Sequence, residues 1–167
     1  MKNQLEIERK YIIRMPDVSL MSKEKDYTAD KIIQIYLESD TSTHRIRARY
    51  GKLGVVYTEN EKVRVDRMSA IEKEREITEN EFSELAIKRK DGTNPIEKLR
   101  HSFEYCDQIF EIDVYPQWKN TAIMETELEN REKTVTMPPF IEIIKEVTGI
   151  KEYSNAAMSY RFPEETD

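Results

Sequence analysis

Charged side chains alternate with apolar ones in most of the strand-like runs of this chain, and no other feature constrains the fold as strongly. Residues i and i+2 of a strand point to the same side, so each of these runs has one charged face and one apolar face. The residues that share a charged face are Glu6, Glu8 and Lys10; Arg45, Arg47 and Arg49; Glu72, Glu74 and Glu76; Lys98 and Arg100; Glu111 and Asp113; and Glu125, Glu127 and Glu129.

Two architectures fit this alternation, and the periodicity does not choose between them. In one, an open sheet covers its apolar face with helices and leaves its charged face in water. In the other, the sheet closes into a barrel with a charged lumen and helices packed outside. A closed barrel would set carboxylates, which suit a hard divalent cation, opposite Arg and Lys, which suit phosphate oxygens. The second architecture therefore predicts a polyphosphate site.

Eight runs are predicted to be strands, and short connections between neighbours favour antiparallel pairing. They cover residues 5–14, 32–38, 43–50, 54–65, 70–77, 96–105, 108–115 and 122–129. Thr78 and Glu81 form a capping-box pattern that predicts a helix, a second helix is predicted from Pro138 or Pro139 to Thr148, and a short third begins near Ser154. The fold class expected is α+β.

Composition narrows the functional classes. A length of 167 residues fits a single domain, 1–167, and a net charge of −6 argues against a nucleic-acid partner. No apolar run has the length that a membrane span needs, and the start of the chain lacks the apolar core of a signal peptide. With Cys106 as the single cysteine, no intrachain disulfide can form, so a cytoplasmic location is expected.

An ordered series of motifs along nearly the whole chain resembles the triphosphate tunnel metalloenzymes, also called the CYTH superfamily. The first is Glu6-Ile7-Glu8-Arg9-Lys10, which is similar to the E-x-E-x-K that opens the first strand of the family. The later motifs are Ile33-Gln34-Ile35-Tyr36-Leu37, His44-Arg45-Ile46-Arg47, Glu72-Lys73-Glu74-Arg75-Glu76-Ile77, Ile96-Glu97-Lys98-Leu99-Arg100, Phe110-Glu111-Ile112-Asp113-Val114-Tyr115, Met124-Glu125-Thr126-Glu127-Leu128, Glu146-Val147-Thr148-Gly149 and Tyr153-Ser154-Asn155.

The resemblance implies an eight-stranded antiparallel tunnel that hydrolyses a triphosphate with Mg²⁺ or Mn²⁺. The implied catalytic and phosphate-binding residues are Glu6, Glu8, Lys10, Arg45, Arg47, Lys98 and Arg100, joined at the substrate by Lys62 and Glu74. The implied metal ligands are Glu6, Glu8, Asp113, Glu125 and Glu127. Arg9 and Lys73 lie between motif residues and are expected to point outward.

One position departs from the family pattern. The fourth strand of many members carries T-x-K, whereas Asn60 follows Thr58 here, with Lys62 two residues further on the same face. The sequence therefore leaves open which of the two fills the basic position, and with it the substrate preference.

Inorganic tripolyphosphate is the substrate expected, with nucleoside triphosphates as poorer ones. The alternatives are a class IV adenylyl cyclase, a thiamine triphosphatase and a non-catalytic polyphosphate- or nucleotide-binding module. The expected partner is a small-molecule triphosphate, with no nucleic acid and no membrane, and a homodimer is left open.

Overall fold

The computed structural model describes residues 4–167, so residues 1–3, which the single-domain prediction includes, lie outside the described range. Within that range, nine strands form one antiparallel sheet. They are β1 (Gln4–Arg14), β2 (Lys25–Leu37), β3 (Thr43–Gly51), β4 (Gly54–Arg64), β5 (Ser69–Ile77), β6 (Ile96–Tyr105), β7 (Gln108–Val114), β8 (Thr121–Glu127) and β9 (Ile143–Glu146). The described helices are α1 (Val18–Met21), α2 (Glu79–Ala86) and α3 (Asn155–Met158), with a 3-10 turn at Lys151–Tyr153.

The sheet closes on itself. Its strand order is β5-β4-β3-β2-β6-β7-β8-β1, and β1 then pairs with β5, with Leu5 opposite Ile71. Eight strands therefore form a barrel, and β9 is an additional strand on β1. The prediction of an α+β, eight-stranded antiparallel barrel is confirmed, and the open-sheet alternative is excluded.

The helix predicted from Pro138 or Pro139 to Thr148 is wrong. Ile143–Glu146 is the strand β9, which pairs with Tyr11–Ile13 of β1. Along this edge of β1, pairing with β5 ends at Ile7. Further along the same edge, β9 pairs with β1 and satisfies its backbone hydrogen-bonding groups. The neighbouring β-branched Ile143 and Ile144 also suit a strand better than a helix.

The other two predicted helices are present. Thr78 and Glu81 form the reciprocal capping box at the start of α2. Ser154 caps α3, and Met158 is buried at its end. The short helix α1 has no counterpart among the predicted elements, and β2 begins at Lys25, seven residues before the predicted start.

Apolar side chains cover the outside of the barrel in two places. Tyr11, Ile13, Phe103, Phe110 and Met124 form a buried cluster on one wall, which is covered by Val135, Met137, Phe140 and Ile141 of the segment before β9. On another wall, Leu37, Ile46 and Ile77 pack under α2. No helix in residues 4–167 is both long enough and apolar enough to cross a bilayer.

Candidate active site

A cavity of about 1130 Å³ lies inside the barrel. Eleven of the twelve predicted site residues line it: Glu6, Glu8, Lys10, Arg45, Arg47, Lys62, Glu74, Lys98, Arg100, Glu125 and Glu127. Asp113 is the exception, because its side chain is only 1% exposed and does not reach the cavity surface. The charged faces seen in the sequence therefore point inward, as the closed-barrel architecture requires.

The charged section of the lumen ends at an apolar layer, which we call the apolar floor. Its members are Ile12, Ile96, Tyr115 and Ile123, which pack together with Trp118, Val147 and Met158. Each member of the floor comes two residues along its strand from a charged site residue, as Ile12 does from Lys10. This packed apolar layer borders the charged side chains of the lumen.

On the β6–β7 wall, a buried carboxylate holds two cations. Asp113 Oδ2 accepts from Lys98 Nζ at 2.7 Å, and its Oδ1 accepts from Arg100 Nε at 2.7 Å. Burial favours the neutral acid, but Arg100 and Lys98 hold the pKa of Asp113 far below its usual range. Burial also lowers the pKa of Lys98 to about 7, because its effect is larger than the opposite effect of the Asp113 carboxylate. Asp113 thus orients both cations from behind the cavity surface.

The β1–β8 wall is acidic. The pairs Glu8 and Glu127, and Lys10 and Glu125, lie opposite each other across the two strands. Burial and the Glu125 carboxylate raise the pKa of Glu8. Burial, with Glu72 and Glu127 nearby, raises the pKa of Glu6 to about 7 despite its contact with Lys62. These carboxylates have too little positive charge around them to stay ionised easily.

Two lysines partly offset this acidity. Lys10 Nζ lies 2.9 Å from Glu125 Oε1, and Lys10 with Arg100 lowers the pKa of Glu125 to about 2 against the effect of its burial. Lys62 Nζ lies 2.7 Å from Glu6 Oε2 and 3.2 Å from Glu72 Oε1. Lys62 of β4 therefore places a positive charge between two carboxylates.

Asn60 does not take that role. It is buried, and its Nδ2 donates to Glu74 Oε2 at 3.3 Å. Of the two candidates for the basic position, Lys62 lines the cavity, whereas Asn60 hydrogen-bonds Glu74; a role for Lys62 at the substrate stays a prediction.

The β2–β3 wall carries arginines. Arg47 donates from Nε and Nη2 to Gln34 Oε1 at 3.1 and 2.9 Å. Burial lowers the pKa of Arg47, and the neighbouring Arg45 and Arg100 add to the effect. The buried Nε of Arg45 has no hydrogen-bond partner within residues 4–167. Arg45 lines the cavity, but this Nε is itself buried.

The donor chemistry of the acidic wall fits a divalent cation. Glu6, Glu8, Glu125 and Glu127 offer only carboxylate oxygens, which are the ligands that Mg²⁺ and Mn²⁺ take. The raised pKa values of Glu6 and Glu8 point to a shortage of positive charge at the same place. The residues therefore fit a metal in donor type and charge, but in the described part of the chain no three His, Cys, Asp or Glu side chains converge into a metal-binding group.

Several cavity residues were not among the predicted site residues. Tyr36 and Arg49 line the cavity, Arg49 in an ion pair with Asp30 at 2.7 Å. The alternation of Gln34 and Tyr36 on β2 could have indicated Tyr36, although a mixed polar and aromatic face gives a weaker signal than a charged one. Asn155 of α3 accepts from Tyr115 Oη at 3.0 Å and also lines the cavity. No strand periodicity could have placed it there.

Arg9 and His44 point away from the lumen. Arg9 forms a two-bond ion pair with Glu146 of β9, at 3.0 and 2.8 Å. His44 Nε2 lies 2.7 Å from Glu59 Oε1, and neither residue lines the cavity. In the run Glu8, Arg9, Lys10, the first and third side chains thus face the cavity and the second faces the outside of the barrel.

Solved structures with the same architecture include two of one protein. The inorganic triphosphatase NE1496 is 27% identical, with a TM-score of 0.59, over 95% of this chain and 96% of that one. A second structure of NE1496, described as a hypothetical protein, is 28% identical, with a TM-score of 0.58, over 95% and 99% of the two chains. PH1819 from Pyrococcus horikoshii OT3 shares the fold at 15% identity and a TM-score of 0.56, over 75% of this chain and 80% of that one.

No profile of a protein family matches the chain, and neither does any curated protein. The closed barrel, its charged lumen and the full-length similarity to NE1496 nevertheless agree with the ordered motifs. The class is that of a triphosphate tunnel fold. The solved structures that share the fold are consistent with the CYTH, or triphosphate tunnel metalloenzyme, superfamily.

Proposed function

We propose that this chain is a divalent-metal-dependent triphosphatase that hydrolyses inorganic tripolyphosphate within the barrel. The observation that carries the proposal is the division of the cavity wall into a cationic side, with Arg45, Arg47 and Lys98, and an acidic side, with Glu6 and Glu8. Simple anion binding would need only the first side. The similarity to a protein described as an inorganic triphosphatase supports the same reaction class.

The cationic side would bind and orient the substrate. Arg45 lines the cavity, and Arg47, which also lines it, is held by Gln34 with further guanidinium donors left over. An arginine fork can donate to two phosphate oxygens at once, so these two residues would fix the orientation of a phosphate group. Phosphoryl transfer depends mainly on such positioning and charge neutralisation.

Asp113 would act by positioning. The resemblance implies that it is a metal ligand, but both of its oxygens accept hydrogen bonds from Lys98 and Arg100. We therefore assign to Asp113 the task of holding these two cations in place, so that no reorganisation is needed when the phosphate chain arrives.

Glu6, Glu8, Glu125 and Glu127 would hold Mg²⁺ or Mn²⁺. When bound, such an ion would neutralise phosphate charge and lower the pKa of water, which supplies hydroxide to attack phosphorus. The protein's own part is to gather four carboxylates on neighbouring strands, where burial and mutual repulsion favour a cation.

A phosphate-release assay tests the proposal. Tripolyphosphate, ATP and thiamine triphosphate are each supplied with Mg²⁺ and with Mn²⁺, and tripolyphosphate is expected to give the highest kcat/KM. Pyrophosphate and cyclic AMP formed from ATP would favour a cyclase instead. Binding without turnover of any substrate would favour a non-catalytic module.

Glu8→Ala and Lys10→Ala should each lower kcat/KM for tripolyphosphate by about a hundredfold or more, as expected when a group acting directly on substrate or metal is lost. Arg9→Ala is the matched control, since Arg9 lies between them and points to the outer wall. Full activity of Glu8→Ala and Lys10→Ala would contradict the assignment of this site.

A further inference from the structure

Exposed aliphatic side chains form a row across the outside of β4, β5 and the start of β1. Val63 of β4 lies opposite Ile71 of β5, and Ile71 lies opposite Leu5 of β1. Val65, directly beyond the end of β4, is exposed as well. These four residues are between 40% and 58% exposed, so no helix or loop of residues 4–167 buries them. We call them the apolar row.

Other apolar parts of the outer wall are buried by the chain itself. Helix α2 covers Leu37 and Ile46, and the segment before β9 covers Phe103 and Phe110. The apolar row has no such cover in the part of the chain that the structure describes. Contact between water and clustered aliphatic side chains is unfavourable, and such patches mark protein–protein contacts. The row therefore indicates a partner.

Charged side chains continue the same outer face along β4 and β5, next to the apolar row. The first outward pair is Glu61 opposite Lys73, and the second is Glu59 opposite Arg75. Glu59 and Arg75 are already bonded, with 2.7 Å between Oε2 and Nε. Glu61 and Lys73 are exposed, and neither forms an ion pair with any residue in the range 4–167. β4 thus presents a free carboxylate and β5 a free ammonium group.

A second copy of the chain complements this face. A twofold axis that runs parallel to the strands, above the midline between β4 and β5, places β4 of each protomer over β5 of the other. Residues that lie opposite each other within one sheet then also face each other between protomers. Val63 meets the partner's Ile71, and Glu61 meets the partner's Lys73. The symmetry repeats each contact, so both free charges of each protomer gain an opposite charge.

A twofold axis across the strands would not achieve this. It would place β4 over the partner's β4, and the outward positions of that strand, from Val55 through Glu61 to Val63, carry no cation. Glu61 and Lys73 would both stay unpaired. The charge pattern therefore selects the axis that is parallel to the strands.

We propose that the outer face of β4, β5 and β1 is the interface of a homodimer, formed by the apolar row and two symmetric contacts between Glu61 and Lys73. Burial of the row supplies the attraction, and the charges fix the register. Only a small area meets between two convex barrel walls, so we expect a weak dimer with a Kd of about 10 to 100 µM. Lys62 and Glu72 point from the same strands into the cavity, which stays accessible.

Sedimentation velocity of the full chain, at protein concentrations up to about ten times this Kd, measures the association. Val63→Glu places a carboxylate in the centre of the interface, so Kd should rise by about tenfold or more. Leu53→Glu is the matched control, because Leu53 is fully exposed in the β3–β4 turn, outside this face, and it should keep the wild-type Kd. A wild type that stays monomeric, or a dimer that Val63→Glu leaves unchanged, would overturn the proposal.

Charge exchange tests the geometry. Glu61→Lys and Lys73→Glu each set like charges against each other in both symmetric contacts, so each should raise Kd by about tenfold at low salt. A general effect of the net charge of −6 would act in opposite directions in the two variants. A one-to-one mixture should associate as the wild type does, because both contacts then join a cation of one variant to a carboxylate of the other. A mixture that associates no better than either variant alone would refute this interface.

Circular dichroism and tripolyphosphate hydrolysis, measured on the same samples, check that each variant is folded and that its cavity is intact. The dimer does not depend on the proposed function, and the two can fail separately. A monomeric wild type that hydrolyses tripolyphosphate would refute the dimer alone. A wild type that hydrolyses nothing, but whose two charge variants associate only when mixed, would support the dimer and contradict the proposed function.

Discussion

Two parts of the cavity wall carry carboxylates in opposite electrostatic states: Asp113 on β7, and Glu6 and Glu8 on β1. Asp113 is held ionised by two cations, and its pKa lies far below the usual range. Glu6 and Glu8 are also buried, but their pKa values are raised. Burial acts in the same direction on all three, so the number and closeness of neighbouring cations decide the difference.

This difference suggests a division of labour. A carboxylate whose oxygens are already taken by Lys98 and Arg100 contributes order to the site and has little left for a metal. Carboxylates that lack enough positive charge destabilise the empty barrel and gain most when a divalent cation arrives. Under the proposed function, Asp113 would keep its neighbours rigid, and Glu6 and Glu8 would bind the metal.

The strongest test of the comparison is Asp113→Asn. The amide keeps the shape but leaves Lys98 and Arg100 buried beside a neutral group, so the free energy of unfolding should fall by about 3 to 5 kcal/mol. Chemical denaturation followed by circular dichroism measures the change. Activity on tripolyphosphate should fall as well, because both cations lose their orientation.

The matched substitution on the other wall is Glu8→Gln. Activity on tripolyphosphate should fall by about a hundredfold, as for loss of a metal-side group. The free energy of unfolding without metal should stay level or rise, because a carboxylate with a raised pKa weakens the fold while it is ionised. If Glu8→Gln lowers the free energy of unfolding as much as Asp113→Asn does, the two carboxylates do not differ in their effect on stability.

Divalent metal should stabilise the wild-type protein. At free Mg²⁺ or Mn²⁺ about a hundredfold above its Kd, the gain is about 2.7 kcal/mol, which for a chain of this size raises Tm by about 5 to 10 °C. Differential scanning fluorimetry at constant ionic strength, with NaCl replacing the metal salt, measures this shift. The shift should shrink in Glu8→Gln, and an unchanged Tm in the wild type would count against a metal site on the β1–β8 wall.

The same contrast explains how much the sequence could predict. The strand alternation and the motif order placed Glu8, Lys10 and Arg47 inside the barrel, because inward and outward positions follow from a period of two. The role of Asp113 could not be read in this way. Its position was predictable, but whether it faces solvent, a metal or two cations depends on packing across β6 and β7.

The wrong helix has a similar cause. Phe140, Ile144 and Val147 have helical spacing and Gly149 follows them, and these two features are the basis for the prediction. The strand β9 forms instead because β1 extends beyond its pairing with β5 and leaves backbone groups to be satisfied. The unpaired backbone groups of β1 are distant in sequence, so the residue pattern of the segment that forms β9 cannot indicate them.

The smallest expected effect is at Arg9, which lies between Glu8 and Lys10 on the outer face of β1. Its ion pair with Glu146 is partly exposed, since 33% of the Arg9 side chain and 35% of the Glu146 side chain are accessible to solvent. Arg9→Ala should therefore lower the free energy of unfolding by no more than about 1 kcal/mol and leave tripolyphosphate hydrolysis and the metal-induced rise in Tm unchanged. Denaturant unfolding measures the change in stability, and steady-state rates, measured in parallel with Glu8→Gln, measure the activity. A loss of activity as large as that of Glu8→Gln would mean that the strand alternation does not separate cavity from outer wall.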